Sequence, residues 1–264
     1  MTRPQVDDLL RPLSARSLVA SALLGSHPPE LPGRLLVAFG ERFGISGGTT
    51  RVALSRMVDR GELTNANGTY QLRGDLLERQ ERQDRSRDRS RPSRWDGTWE
   101  QAVIITSGRS SSDRNRLRQA LASLGLAELR EGVWMRPANL DTDRLLAARA
   151  VVDQHVDWYR IAPLDRATAV DLAARLFDLG AWAATTEALQ AAVEQASDRL
   201  ETDDDAVVSG FNLASATLRH LVHDPQLPPE LAPEHWPADA LRRAYEDYER
   251  RYQLLLRDFF RAAA

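Results

Sequence analysis

Apolar residues recur at helical spacing in three short segments at the start of the chain. Leu18, Val19, Ala22 and Leu23 mark one face of a helix that Ser14 caps and that runs to about Leu24. Leu35, Leu36 and Phe39 mark a second over Arg34–Phe43, and Gly44 supplies a tight turn after it. Ala53, Leu54, Met57 and Val58 mark a third, which Ser46 caps and Gly61 ends. Ile45, just before the cap, is placed to staple onto Thr50. Leu63-Thr64-Asn65-Ala66 and Thr69-Tyr70-Gln71-Leu72 then flank Asn67-Gly68, the strongest short hairpin signal. Three helices and a hairpin predict a winged helix-turn-helix domain over residues 1–74, with residues 1–12 as a frayed arm.

The pattern changes three times after that. Between residues 75 and 94 the apolar positions stop at Leu77, and seven Arg stand against three acids from Arg79 to Arg94. That stretch reads as an exposed helix laced with charge pairs or as a mobile linker. Residues 95–162 alternate strand-length and helix-length segments: Trp99–Thr106, Asp113–Leu124, Leu126–Leu129, Val133–Arg136, Asp141–Ala150 and Gln154–Ile161. The order β-α-β-β-α-β predicts a ferredoxin-like domain. Residues 163–264 predict an all-helical domain, with helices over Ala167–Leu179, Ala181–Ser197, Val207–Leu221 and Asp239–Phe260. An acidic loop, Thr202-Asp203-Asp204-Asp205, caps the third of these. A proline-rich stretch, Asp224–Pro237, forbids regular structure but keeps Leu227, Leu231 and Trp236, so it reads as a packed strap. The whole is an α+β multidomain chain.

Charge sharpens this division. Residues 1–95 carry 16 Arg against 11 acidic residues, and residues 96–264 carry 19 against 27. A basic head on an acidic body suits nucleic-acid binding at the front. The 264 residues contain no cysteine, which excludes disulfides, thiol nucleophiles and cysteine zinc sites. No apolar run reaches the length of a membrane span, and the first residues hold no signal-peptide core, so a cytoplasmic protein without membrane association is expected. There is no G-x-S-x-G, no phosphate-binding glycine loop and no H-E-x-x-H, so no enzyme is expected, and no catalytic residue, metal or cofactor is assigned.

The third helix would enter a DNA major groove, with the hairpin along the backbone. Arg51 and Arg56 are the candidates for a guanine edge. Thr49, Thr50 and Ser55 suit phosphates or a thymine methyl. Ser46 and Arg60 flank them, and Asn65, Asn67 and Thr69 belong to the wing. Arg60 could instead pair with Asp59 or Glu62.

Residues 14–72 resemble the PaaX-like transcriptional regulators, bacterial repressors of phenylacetate catabolism. So do Trp95-Asp96-Gly97-Thr98-Trp99, Gly132-Val133-Trp134-Met135-Arg136-Pro137 and the strap at 224–237. The resemblance implies a middle domain similar to a CRISPR-associated small nuclease. It also implies a homodimer on a double-stranded, palindromic operator, nucleoid-associated when bound, and release by phenylacetyl-CoA or a related acyl-CoA. By position it makes Ser46–Gly61 the recognition helix and Asn65–Thr69 the wing. An acyl-CoA effector needs Arg for phosphates and apolar walls, which singles out Arg219, His220, His223 and Trp236 beside the strap. Three features depart from the family pattern. Ile105-Thr106-Ser107-Gly108 stands where an Asp-x-Pro is usual, and so lacks a carboxylate for a metal. Gly47-Gly48 replaces better helix formers, which should loosen the first turn by roughly 1 kcal/mol per glycine. Trp236-Pro237-Ala238 replaces a Trp-Pro-Gly. Two other readings stay open: a metal-dependent nuclease on the middle domain, and a DNA-bound regulator without an effector.

Overall fold

The computed structural model describes residues 13–87, 95–108, 110–140, 146–200 and 205–263. The frayed arm expected at 1–12, the acidic residues at 202–204 and the start of the helix expected at Asp141 lie outside them. The chain forms two compact units, each a mixture of helix and antiparallel sheet. The first takes in Met1–Arg89, Ala184–Val222 and Pro237–Ala264; the second takes in Ser90–Ala183 and His223–Trp236.

The first unit begins with α1 (Ala15–Leu24), β1 (Glu30–Pro32), α2 (Gly33–Arg42), α3 (Gly47–Asp59), β2 (Leu63–Ala66) and β3 (Thr69–Leu72). Asn67 and Gly68 both adopt left-handed backbone (φ 52° and 82°), the geometry a two-residue hairpin turn requires. β3 is the centre of a three-stranded sheet in the order β1-β3-β2. The strand β1 has no periodic signal. It is three residues long and carries Pro32, which an edge strand tolerates because its missing N–H need face no neighbour.

The charged stretch after the hairpin is not a linker up to Arg87. It forms α4 (Asp75–Arg87) and buries Leu76, Gln80 and Gln83 at i, i+4 and i+7. The Gln80 Nε2 amide donates to the carbonyls of Leu24 at 3.0 Å and Ser26 at 2.9 Å, closing the C-terminal end of α1. Residues 88–94 fall outside the described set.

The later helices do not make a separate core. α9 (Ala206–Val222) and α10 (Ala238–Ala262) share one buried cluster with α1, α2 and α3. Phe39 of α2, 1 % exposed, packs its ring 5.0 Å from Phe211, 5.6 Å from Phe260 and 5.9 Å from Phe259. Tyr252 of α10 donates its hydroxyl to the Val207 carbonyl at 2.7 Å. The compact units therefore differ from the sequential division at residues 74, 94 and 162.

The second unit holds β4 (Trp99–Ile104), α5 (Ser111–Ser123), β5 (Ala127–Arg130), β6 (Val133–Pro137), α6 (Leu146–Asp153), β7 (Val156–Ile161) and α7 (Arg166–Phe177). The four strands lie in the antiparallel order β5-β6-β4-β7. Ala102, Trp134 and Val156 pack with Leu117 and Leu121 of α5 and Val152 of α6. Trp99 and Met135 belong to a second cluster with Leu172 of α7 and with Leu227 and Leu231 of the proline-rich strap. The strap is fixed by Asn139, whose Nδ2 donates to the Gln226 carbonyl at 2.8 Å. Across β4 and β6, Glu100 faces Arg136 directly. Arg136, its side chain 3 % exposed, donates to Glu100 Oε2 through Nε at 2.9 Å and Nη2 at 2.7 Å. Arg149 reaches Glu100 Oε1 at 3.2 Å, with its guanidinium 4.0 Å from the Trp158 ring centre. Burial draws the Arg136 guanidinium below its ordinary pKa, and the Glu100 charge opposes that shift.

The helix between α7 and α9, α8 (Leu179–Ser197), contributes residues to both units. Among the described residues, no helix is long and apolar enough to cross a membrane.

Candidate nucleic-acid interface

The local sequence explains why α3 starts where it does. Ser46 is extended (φ −59°, ψ 147°), and its Oγ accepts from the Thr49 amide at 3.2 Å. Ser46→Ala should therefore cost about 1 kcal/mol of stability, readable as a lower urea midpoint with an unchanged slope. Gly47 sits close against α2. A Cβ there would meet Glu41 Oε1 at 2.8 Å and Val37 Cγ1 at 3.1 Å on α2. Gly48 faces open space apart from Ser46 Oγ at 3.9 Å. Gly61, in left-handed backbone at φ 70°, follows the helix end.

The helices α2 and α3 approach closely at Gly40 and Thr50. Any Cβ on Gly40 would overlap Thr50 Oγ1. Thr50 is 1 % exposed, and its hydroxyl donates to the Ser46 carbonyl at 3.3 Å. The expectation that Thr50 contacts DNA is thus corrected: its position on the helix faces α2, and the close crossing leaves no path outward.

Thr50, Leu54 and Met57 turn inward, so the opposite face carries Thr49, Arg51, Val52, Ser55 and Arg56, all exposed. Ser46 at the cap and Arg60 at the end are exposed as well. Val52 was not singled out from the sequence, yet it is 51 % exposed. It lies in line with Thr49 and Arg56 at i, i+3 and i+7, and its spacing from the inward stripe was the signal available. A bare branched methyl pair on such a face suits a thymine methyl. Of the two acids that could have neutralised Arg60, Glu62 is engaged elsewhere, taking Arg16 at 2.8 Å. Arg51, Arg56 and Arg60 form no ion pair among the described residues.

The hairpin tip presents Asn65, Asn67 and Gly68 to solvent, with Thr69 half-buried. The Asn65 Oδ1 accepts from the Gly68 amide at 3.0 Å, so this side chain shapes the turn before it touches anything else. Arg73, missed in the sequence, donates through Nε to Thr64 Oγ1 at 3.3 Å and adds a cation at the sheet beside the hairpin.

The four residues proposed for an effector are divided between the two units. Arg219 lines a cavity inside the first unit. His220 stands in the same unit, with Nε2 2.7 Å from Oγ1 of the buried Thr186. His223 and Trp236 belong to the second unit. His223 is exposed, whereas the Trp236 ring stacks on Trp182 at 4.7 Å and 16° as part of the packing of the strap. In the middle domain, Thr106 Oγ1 lies 3.4 Å from His155 Nδ1. Among the described residues, no three His, Cys, Asp or Glu side chains group closely enough to hold a metal ion.

Comparison with known families and structures accounts for nearly all of these elements. Residues 14–76 match the PaaX-like protein model, 92–173 the PaaX protein central Cas2-like domain, and 177–262 the PaaX-like protein C-terminal domain. A solved structure, the uncharacterized protein Rv0674 from Mycobacterium tuberculosis, is similar at 36 % identity and TM-score 0.62, covering 94 % of this chain and 99 % of that one. No curated protein matches the chain significantly. With three consecutive family models matched in order along its length, the chain belongs to the PaaX-like family of regulators.

Proposed function

We propose that this protein is a ligand-responsive, DNA-binding transcriptional repressor rather than an enzyme. Its first residues act as a winged helix-turn-helix, and its middle domain, with strands ordered β5-β6-β4-β7, is ferredoxin-like. The regulated pathway is phenylacetate-type aromatic-acid catabolism, and an aryl-CoA thioester releases the repressor from its operator. The working form is a cytoplasmic homodimer on a palindromic site. Family membership supports regulation of phenylacetate catabolism. The single observation that carries the DNA reading is the outward face of α3, where Arg51 and Arg56 flank the exposed Val52 without ion pairs among the described residues.

The test is fluorescence anisotropy on the protein's own upstream region, at two salt concentrations, with and without phenylacetyl-CoA. Selective binding should weaken steeply with salt as phosphate counterions are released, and weaken again with the thioester. Arg51→Ala and Arg56→Ala should each lower selective affinity by about 10- to 100-fold, because one bidentate guanine contact is worth about 1–3 kcal/mol. Val52→Ala should act on fewer sequences, with its loss confined to sites carrying a thymine at one position. Equal binding of wild type and both arginine variants would remove α3 as the reader.

A further inference from the structure

A cavity of about 760 Å³ opens inside the first unit, within the size range of about 300–1,000 Å³ typical of small-molecule sites. Its walls come from the end of α1 and the loop after it, from α2 and α4, and from α9 and α10. Leu24, Phe39, Phe211 and Leu218 are buried and make an apolar floor. Arg79 and Arg219, half-buried, and Arg257, exposed, add positive charge to the lining, beside the acids Glu30 and Glu249. The loop at the mouth is held from both sides. Gln80 donates to the Leu24 and Ser26 carbonyls, and Gln253 Nε2 donates to the Gly25 carbonyl at 3.4 Å.

We propose that this cavity is the regulatory ligand site and that it takes an amphipathic organic anion, its apolar body on the phenylalanine and leucine floor and its acidic group toward Arg219. The proposal deepens the ligand-responsive reading above and rests on it. The site lies one residue from the DNA-reading machinery: Phe39 lines the cavity, and the next residue, Gly40, is the point where α2 meets Thr50 of α3. A ligand that fits one placement of α2 better than another shifts α3 with it, and the difference in affinity sets the size of the response. His220, His223 and Trp236 have no part in this site.

Isothermal titration calorimetry on the full chain tests the assignment with phenylacetyl-CoA, free phenylacetate and neutral phenylacetamide. Ser215→Trp and Ala214→Phe fill the cavity from α9 at two neighbouring positions. Each variant that unfolds cooperatively should weaken the anionic probes at least tenfold. Arg219→Gln should weaken them at least fivefold while changing phenylacetamide less than twofold. A preference for the thioester or for the free acid supports the site and names the source of the anion. Three results overturn it: no binding of either anion at millimolar concentration, binding within twofold of wild type in both filled variants, or an equal loss of charged and neutral probes in Arg219→Gln. Anisotropy on the same samples separates the two readings. Absence of selective DNA binding by the wild type overturns the regulator, whereas the calorimetry speaks for the cavity alone.

Discussion

Gly40→Val is expected to abolish selective DNA binding while removing no group that touches DNA. The Cβ of any residue at Gly40 overlaps Thr50 Oγ1, and Thr50 Cβ and Cγ2 lie 3.5 Å from the same point. Thr50 must turn, giving up the bond of its hydroxyl to the Ser46 carbonyl, or the helices must part, and valine adds two methyls to the crowding. Overpacking of a tight core contact costs about 1–3 kcal/mol, occasionally more. Here the strain falls on the crossing that aims α3. A lower urea midpoint together with loss of anisotropy signal at wild-type concentrations is the predicted pair of results. Gly48→Ala, two residues from the cap in open space, is the contrasting change. It should stabilise by about 0.5–1 kcal/mol, because alanine loses less backbone freedom in a helix than glycine does. A Gly40→Val protein with normal stability and normal affinity would mean that the two helices do not meet there.

The second large effect is expected in the middle sheet. Glu100→Ala leaves the buried guanidinium of Arg136 without its carboxylate, and breaking a buried pair from one side costs about 3–5 kcal/mol. Arg149 loses the same partner. The penalty comes from the stranded charge and exceeds anything the pair contributes when intact. An apolar exchange of the facing residues together, Glu100→Leu with Arg136→Met, should therefore recover most of the loss. Chemical denaturation of the three proteins decides this. The exposed pair Arg118–Glu128 has an arginine 54 % exposed, and Glu128→Ala should change stability by less than about 1 kcal/mol. A Glu100→Ala protein as stable as wild type would show that water reaches Arg136.

The parts of the molecule that the sequence made legible are those with local chemical signals. Asn67-Gly68 located the hairpin because both positions need left-handed backbone, and Ser46 located the start of α3 because its hydroxyl satisfies an orphan amide. Arg51, Ser55 and Arg56 followed from counting around the helix. What escaped had signals that were weak or distant. A three-residue edge strand ending in Pro32 has no periodicity. The inward stripe of α4 is built from Gln80 and Gln83, which read as polar although both are buried. Thr50 looks like a surface residue until Gly40 is seen opposite it. Val52 looks like core until the inward face is assigned to its neighbours. The gathering of α9 and α10 onto the first three helices depends on pairs such as Phe39 and Phe211, whose separation along the chain hides any pattern. The effector candidates near the strap fall to both units because the division runs between residues 222 and 223, a boundary without a local signal.

That shared core has a consequence for synthesis in the cell. Gly25 and Gln253, joined by a hydrogen bond, are 228 positions apart. At the usual elongation rate of about 5–20 residues per second, roughly 10–45 s separate their appearance on the ribosome. During that interval Phe39 has neither Phe211 nor the α10 phenylalanines against it for most of the time. The nascent head waits with an open apolar side, a natural place for a chaperone to bind. A prematurely released fragment holding only α1, α2 and α3 would leave Phe39 without these aromatic partners.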